Sequence, residues 1–420
     1  MHLQPRFLPP VAITISLTMM KRIGDKEVQQ VLQRDQGSHA RLITWSHEPL
    51  ASKLDGATSN IFNLKVKFEA AGKEGEVCYA AKISNTREIQ PCDFQSLIFV
   101  QESRFYQEVI PALSSVLEEV KEKPLSFPKC YYISLQEGKE VLILENLKAK
   151  GYLMKDKALG LDLAHTCLVM KVLGKLHAAS FLLQTKLTED ITEKFDFYKK
   201  EWTHAFNWGS DWGGFMDKFL KTGLTMFKEM GDCEKVTAWL RRVKPEVWPR
   251  YKQMLERKAP FDVITHGDPW INNMFFRYDE AGQPEEVVLF DMQGTRVCSL
   301  ALDLNHFINL NVTGKVRRAN FDTIIATYYD SFSSVVNAKK IAMPFTLEEL
   351  KQEYIDKGFY GVLYAIMYLP CMVSNDEDSF VFGDEEKWQA AVKRMVKENP
   401  LLHPTILSVV DEWIERGVIS

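Results

Sequence analysis

His266-Gly267-Asp268-Pro269-Trp270-Ile271-Asn272-Asn273 is the stretch on which the reading of this chain turns. It sets a carboxylate and, five positions later, a side-chain amide in one loop. Downstream, Asp279-Glu280-Ala281-Gly282-Gln283-Pro284 is a strong turn signal. Residues 274–278 and 286–290 are therefore predicted to form a β-hairpin, which returns Asp291 to the end where Asn273 sits. Phosphoryl transfer from ATP needs a carboxylate to orient the attacking hydroxyl, and oxygen ligands for the Mg2+ that neutralises the phosphates. Asp268 suits the first task; Asn273 and Asp291 suit the second as metal ligands. Singly, each of these residues is an ordinary turn or capping residue. In this order and spacing they point to the catalytic half of a phosphotransfer site.

Upstream, the pattern supplies the other half. Leu64, Val66 and Phe68 alternate with polar residues, the period of a strand. A turn is expected at Gly72-Lys73-Glu74-Gly75, with a returning strand at 77–83. A helix is predicted over 94–117, and two further strands over 130–134 and 140–144, joined across Glu137-Gly138. Lys82 lies mid-strand in apolar company, where its amine can neutralise phosphates if a carboxylate holds it. Glu102 in the following helix is the expected partner, with Glu88 and Glu108 as rivals. The alternative for both is an ordinary solvated side chain. Gly56-Ala57-Thr58-Ser59-Asn60 occupies the place of a phosphate-covering loop. Gly56, Thr58 and Ser59 are its candidate contacts, although one glycine also suits a plain turn. Glu145 and Leu147 mark a linker whose backbone groups are expected to read the adenine edge.

Beyond residue 145 the chain reads as mainly helical, with helices over 163–183, within 195–257, and over 319–336, 347–368, 386–397 and 404–416. The expected fold class is α+β and two-lobed. The parts would be a leader and surface helix (1–39), a small antiparallel sheet with one helix (40–145), and a large helical lobe (146–420), with a nucleotide cleft between the lobes.

A chain of 420 residues at 46% hydrophobic can bury a large core, and a net charge of −4 gives no electrostatic argument for nucleic acid. Seven dispersed cysteines, none in a Cys-x-x-Cys pair, argue against a disulfide framework or structural zinc and suit a reducing cytosol. Residues 7–20 form an apolar stretch too short for a membrane span. It reads as a leader, with a signal peptide or a start at Met19 or Met20 as alternatives. Some tempting residues read as structural: His266 as loop packing, His177 as a core histidine, Asp303 as support for the catalytic segment. Trp202, Phe206, Trp208, Trp212 and Phe215 read as helix core or as an apolar wall for a bulky acceptor. Asp376-Glu377-Asp378 reads as a solvated loop that could draw a cationic acceptor.

Several strings together resemble the ecdysteroid-kinase-like family, also described as CHK-kinase-like, which groups with choline and aminoglycoside kinases in the protein-kinase-like fold. They are Phe99-Val100-Gln101-Glu102-Ser103-Arg104-Phe105-Tyr106, Leu144-Glu145-Asn146-Leu147, Leu173-Gly174-Lys175-Leu176-His177-Ala178, the loop from His266 to Asn273, and Asp291-Met292-Gln293. The resemblance runs from about residue 40 to near the C-terminus. It implies an ATP-dependent small-molecule kinase whose acceptor is an alcohol, in some members an ecdysteroid. One departure is Met292, where the family often has phenylalanine; methionine packs adaptably, so no loss is expected. Rival readings are a nucleotide-binding pseudokinase, a choline-kinase-like amino-alcohol kinase, and a protein kinase. His-Gly-Asp in place of His-Arg-Asp, and the short interval from Asp291 to Asp303, disfavour the last.

Overall fold

Leu64, Val66 and Phe68 are buried while Lys65 and Lys67 are exposed, as the pleat of a half-buried strand requires. The structure is a computed structural model that describes residues 22–50, 59–84, 93–136, 139–199, 211–374 and 385–420. Gly56, Thr58, Glu88, Trp202, Phe206, Trp208, Glu137-Gly138, Asp376-Glu377-Asp378 and the leader 7–20 lie outside the described residues. Ser59, Trp212 and Phe215 are described in their backbone alone.

Contacts divide the chain into two compact units: Met1–Ser103 with Pro128–Lys150, and Arg104–Phe127 with Gly151–Ser420. The first unit is a five-stranded antiparallel sheet. Its strands are β1 (Arg41–Pro49), β2 (Ser59–Ala70), β3 (Lys73–Ser84), β4 (Cys130–Ser134) and β5 (Val141–Glu145), in the order β1-β2-β3-β5-β4. Helix α1 (Asp25–Gln36) buries Val28, Val31 and Leu32 in the same apolar cluster as Leu64, Val66, Ala81 and Ile83. The β2–β3 turn is tighter than the sequence suggested. Ala70 pairs with Lys73, and Ala71 and Gly72 both have positive φ (52° and 73°), the conformation two-residue hairpin turns favour. Gly75 belongs to β3, where a Cβ would lie 2.7 Å from the Phe68 ring.

The single helix expected over 94–117 is interrupted. α2 (Asp93–Arg104) passes through a π-helical turn at Phe105–Val109 into α3 (Ile110–Glu119). Pro111 has no N–H to give to Gln107, so the ladder widens there, and the Ile110 N–H reaches Phe105 O. The unit division falls at this point, and α3 packs on the second unit's core.

The second unit is mainly helical, built around α4 (Leu163–Lys186). This helix is long and apolar enough to cross a membrane by composition, but 67% of its apolar window is buried inside the protein, as befits a core helix. Then come α5 (Asp211–Met230), α6 (Glu234–Val243) and α7 (Val247–Leu255). Four short strands follow: β6 (Asp262–Thr265), β7 (Met274–Tyr278), β8 (Pro284–Leu289) and β9 (Arg296–Ser299). β7–β8 is the expected hairpin, with Met274 opposite Leu289. The β6–β9 pair was not legible in the sequence, and neither was the wholly buried α8 (Ala301–Asn311). The chain ends in α9 (Gly314–Ala338), α10 (Leu347–Asp356), α11 (Gly358–Val373), α12 (Glu385–Glu398) and α13 (Leu402–Glu415). α10 and α11 replace the one helix expected over 347–368: the chain breaks at Lys357, and Gly358 lies against Trp413, where a Cβ would come within 2.2 Å of the indole.

α4 and α9 cross closely at Gly174, where a Cβ would lie 2.6 Å from Tyr328 O. Backbone cannot yield as a side chain can, so Gly174→Ala should destabilise the protein by about 1–3 kcal/mol, read as a lower urea midpoint with an unchanged slope.

Candidate active site

The loop after β6 is held by its backbone donors. The His266 N–H donates to Asp303 Oδ2 (2.7 Å) and the Gly267 N–H to Asp303 Oδ1 (2.9 Å). Asp303 also meets His177 Nε2 at 3.1 Å, and His177 Nδ1 lies 2.8 Å from the Tyr328 hydroxyl. Burial alone would raise the Asp303 carboxyl, but His177 and the Gly267 N–H, with the other donors around it, outweigh it and hold it below the usual carboxylate range. Gly267 has a φ of 79°, and a Cβ there would lie 1.8 Å from Gly294 O. No side chain fits at this position, because the loop is pressed against the segment that follows Asp291. His266 bridges the two. Its Nδ1 accepts from the Asp268 N–H (3.3 Å) and its Nε2 donates to Phe290 O (3.1 Å). Burial pushes its pKa down, which suits this neutral tautomer.

Asp268 therefore projects from a fixed loop. Its carboxyl is pushed up to about 7, first by burial and then by the charge of Asp291; the Asn273 hydrogen bond and Arg296 pull the other way. Even so, 35% of its side-chain surface is open. The group is recessed rather than sealed, so it is poorly solvated and still reachable. A perturbed acid of this kind is a functional-site signal.

Asn273 ends the helical turn Ile271–Asn273. Its Nδ2 donates to Asp268 O (3.0 Å) and Asp268 Oδ2 (3.1 Å). That fixes the amide so that Oδ1 is the face left over, and nothing among the described residues donates to it. The Phe290 N–H donates to Asn273 O (3.1 Å), which sets Asp291 beside Asn273. Asp291 itself is left-handed, with φ 62° and ψ 59°. Non-glycine residues seldom adopt this conformation, though aspartate is among those that tolerate it. Met292 is fully buried. An amide oxygen and a carboxylate are hard ligands of the kind Mg2+ takes, with phosphate oxygens and water completing its octahedron. Among the described residues no three His, Cys, Asp or Glu side chains converge on a possible metal site.

In the first unit, Lys82 Nζ and Glu102 Oε2 are 2.6 Å apart and both side chains are buried. Of the rival acids, Glu108 is engaged with Arg104 (2.6 Å). At the linker, the Glu145 N–H already donates to Lys129 O (2.8 Å), and Leu147 O accepts from the Lys150 N–H (3.0 Å). The Glu145 carboxylate pairs with Lys150 and accepts from the Lys129 N–H. The Leu147 N–H remains without a partner among the described residues, so adenine recognition through this linker would fall on fewer groups than expected.

Sequence reasoning missed the contribution of α8. Besides Asp303, this helix supplies Asn311, whose Oδ1 accepts from the Ile271 N–H (2.7 Å) and whose Nδ2 donates to Pro269 O (3.0 Å). It also supplies His306, whose Nε2 stands 3.5 Å from Asp268 Oδ1. The signal was present: five polar residues, Asp303, Asn305, His306, Asn309 and Asn311, sit in an otherwise apolar run and are all buried. Buried polar groups need partners. Arg296, also buried, was missed as well.

The raised Asp268 carboxyl has a consequence for stability. Its pKa is about 7 folded against an ordinary 3.8, so the folded state binds the proton more tightly. The stability this proton lends is complete below about pH 4 and is lost as pH rises through 7. Asp268→Asn should therefore melt higher than the parent at pH 8, by roughly 1–2 °C after solvent screening of the open carboxylate is allowed for. The gain should vanish at pH 4. Thermal melts at the two pH values check this.

Residues 53–341 match the ecdysteroid kinase-like family. No curated protein matches the chain. Among solved structures, a choline/ethanolamine kinase family protein from Mesorhizobium loti is 10% identical, with 93% of this chain and 99% of that chain covered and a TM-score of 0.36. The microcompartment-associated aminopropanol kinase is 11% identical, with 89% and 97% covered and a TM-score of 0.44. The family match takes in well over half of the sequence and every group described above, from Lys82 to Asn311, and the chain belongs to the ecdysteroid kinase-like family.

Proposed function

We propose that this protein is an ATP-dependent small-molecule O-kinase. Family membership supports the class of activity. The observation that carries the chemistry is the Asp268 carboxylate: recessed, open to solvent, raised to about 7, and gripped at Oδ2 by Asn273. Asp268 orients the acceptor hydroxyl. As that oxygen forms its bond to the γ-phosphorus, the bond from phosphorus to the ADP oxygen breaks, and the hydroxyl proton passes late to Asp268. A carboxyl titrating near neutrality is matched to that task. Lys82, kept in place by Glu102, balances phosphate charge, and the Leu147 N–H offers one donor to adenine. Mg2+, held through Asn273 Oδ1 and Asp291, supplies the charge that neutralises the phosphates when bound.

The acceptor is a bulky apolar alcohol in this reading, steroid-like or xenobiotic. Support comes from an aromatic ring near Asp268. Tyr360 and Tyr364 of α11 are buried in the core, and Tyr368, next in the same stack (5.5 Å from Tyr364 between centroids), is partly open. Phe219 of α5 lies 6.3 Å from Tyr368. Burial raises the Tyr368 phenol, with the Asp268 charge adding to the effect, so this ring borders the carboxylate. Aromatic faces bury steroid-like surface well, and they also accept quaternary ammonium. A screen of hydroxylated steroids, xenobiotic alcohols and amino alcohols with radiolabelled ATP separates the two classes. We place the protein in the cytosol, on the ground that all six described cysteines are free thiols.

Asp268→Asn should keep ATP binding and lose turnover by about 100-fold or more. Asp291→Ala should lose the Mg2+-dependent part of ATP binding. Calorimetry with and without Mg2+, beside a transfer assay on the best acceptor from the screen, reads both. Unimpaired turnover by Asp268→Asn would show that another group orients the acceptor. ATP binding with no transfer to any acceptor by the parent protein would favour a pseudokinase.

A further inference from the structure

His306 is a buried imidazole to which the scheme above gives no task. It lies on α8, one helical turn beyond Asp303, with 2% of its side-chain surface exposed. Its Nε2 stands 3.5 Å from Asp268 Oδ1, the oxygen that Asn273 does not hold. Its Nδ1 has no hydrogen-bond partner among the described residues. The Tyr364 ring packs on the imidazole at 4.6 Å between centroids. Tyr364 is itself stacked between Tyr360 and Tyr368, so the imidazole has little room to swing away. Burial keeps it neutral against the pull of Asp303, with Arg296 adding to the effect of burial.

A neutral imidazole carries one N–H and one lone pair. With the proton on Nδ1, a buried donor would have no acceptor, and the Nε2 lone pair would face a carboxylate. With the proton on Nε2, the buried Nδ1 is left only as an unpaired acceptor, the lone pair no longer faces a carboxylate, and a donor is aimed at Asp268. At 3.5 Å the approach is longer than a formed hydrogen bond. Catalytic contacts are often loose before substrate arrives and tighten afterwards.

We propose that His306 is a positioning residue for the base. Its Nε2–H closes on Asp268 Oδ1 while Asn273 Nδ2 holds Oδ2, so the carboxylate is gripped at both oxygens and presents one fixed lone-pair direction to the acceptor hydroxyl. The role rests on the reading of Asp268 as the acceptor-orienting group. His306 touches neither acceptor nor nucleotide and takes no proton. A core histidine that merely fills space could be replaced by any ring of similar shape; a clamp needs the N–H.

The test uses the full chain and MgATP hydrolysis, with water standing in for the acceptor. His306→Phe keeps a ring against Tyr364 and removes the donor. It should lower kcat by about tenfold or more, with KM for MgATP within about twofold of the parent. His306→Gln restores an N–H and should recover most of that loss. In a crystal structure of the His306→Phe protein, the Asp268 carboxylate should have turned out of its contact with Asn273. Parental kcat in the His306→Phe protein, or equal damage from phenylalanine and glutamine, overturns the proposal. Asp268→Asn run in parallel separates the two ideas. If it is slow while His306→Phe is normal, the clamp fails and the base stands; if it hydrolyses at the parental rate, the base assignment fails and the clamp with it. Should phenylalanine prevent folding, His306→Met is the second donor-free variant and is read by the same comparison with glutamine.

Discussion

The loop that carries Asp268 hangs on one buried carboxylate. Asp303 accepts the N–H groups of His266 and Gly267 and meets His177 from the far side. Without it, two backbone donors would be left unsatisfied in the interior, at about 1–3 kcal/mol each. The backbone of 266–268 would then be free to move, and the Asp268 side chain with it. Two aspartates in one small region are thus driven in opposite directions. Asp303, surrounded by donors, is held ionised; Asp268, recessed beside the charge of Asp291, is driven up towards neutrality. Separation of this kind is how one fold can fit two residues of the same type for different tasks.

The parts that were legible in the sequence are those with local signals. The β7–β8 hairpin followed from the 279–284 turn, and its strands lie within two residues of expectation. The Lys82–Glu102 pair followed from a charged residue in an apolar strand and an acid at a permitted helical distance. α8 was invisible for the opposite reason. Every one of its eleven residues is buried, so it lacks the contrast between an apolar stripe and a solvated face by which a helix is usually read. β6 and β9 have four residues each, too few for alternation to register. The helix expected over 94–117 contained its own break, because Pro111 removes the donor that would have kept the ladder regular.

α8 also explains why the loop needs so little sequence of its own. Asp303, His306 and Asn311 recur at helical spacing along one element, and they reach three successive points of the loop: its entry, Asp268, and the turn before Asn273. A rigid buried helix fixes these points together, in the way a functional site is best supported by side chains on regular elements rather than by the loop carrying it.

The same region holds three departures from local preference. Asp291 is left-handed, Gly267 sits where any Cβ would strike Gly294, and Asp268 is a carboxylate held among protein atoms beside another negative charge. None of these helps the fold stand. Each is unfavourable alone, and each is imposed by a neighbour that is well satisfied: Asp303 holds the loop, Phe290 ties Asp291 to Asn273, and His266 joins the two segments. Strain that is over-determined by sound structure marks the place where geometry is kept for chemistry rather than stability. By that criterion Asp268 and Asp291 are candidates for a functional role on structural grounds as well as on sequence pattern. The Lys82–Glu102 pair is the corresponding feature of the first unit: the two groups stand 2.6 Å apart and are buried, and the desolvation of two charges makes such a pair weak as a source of stability.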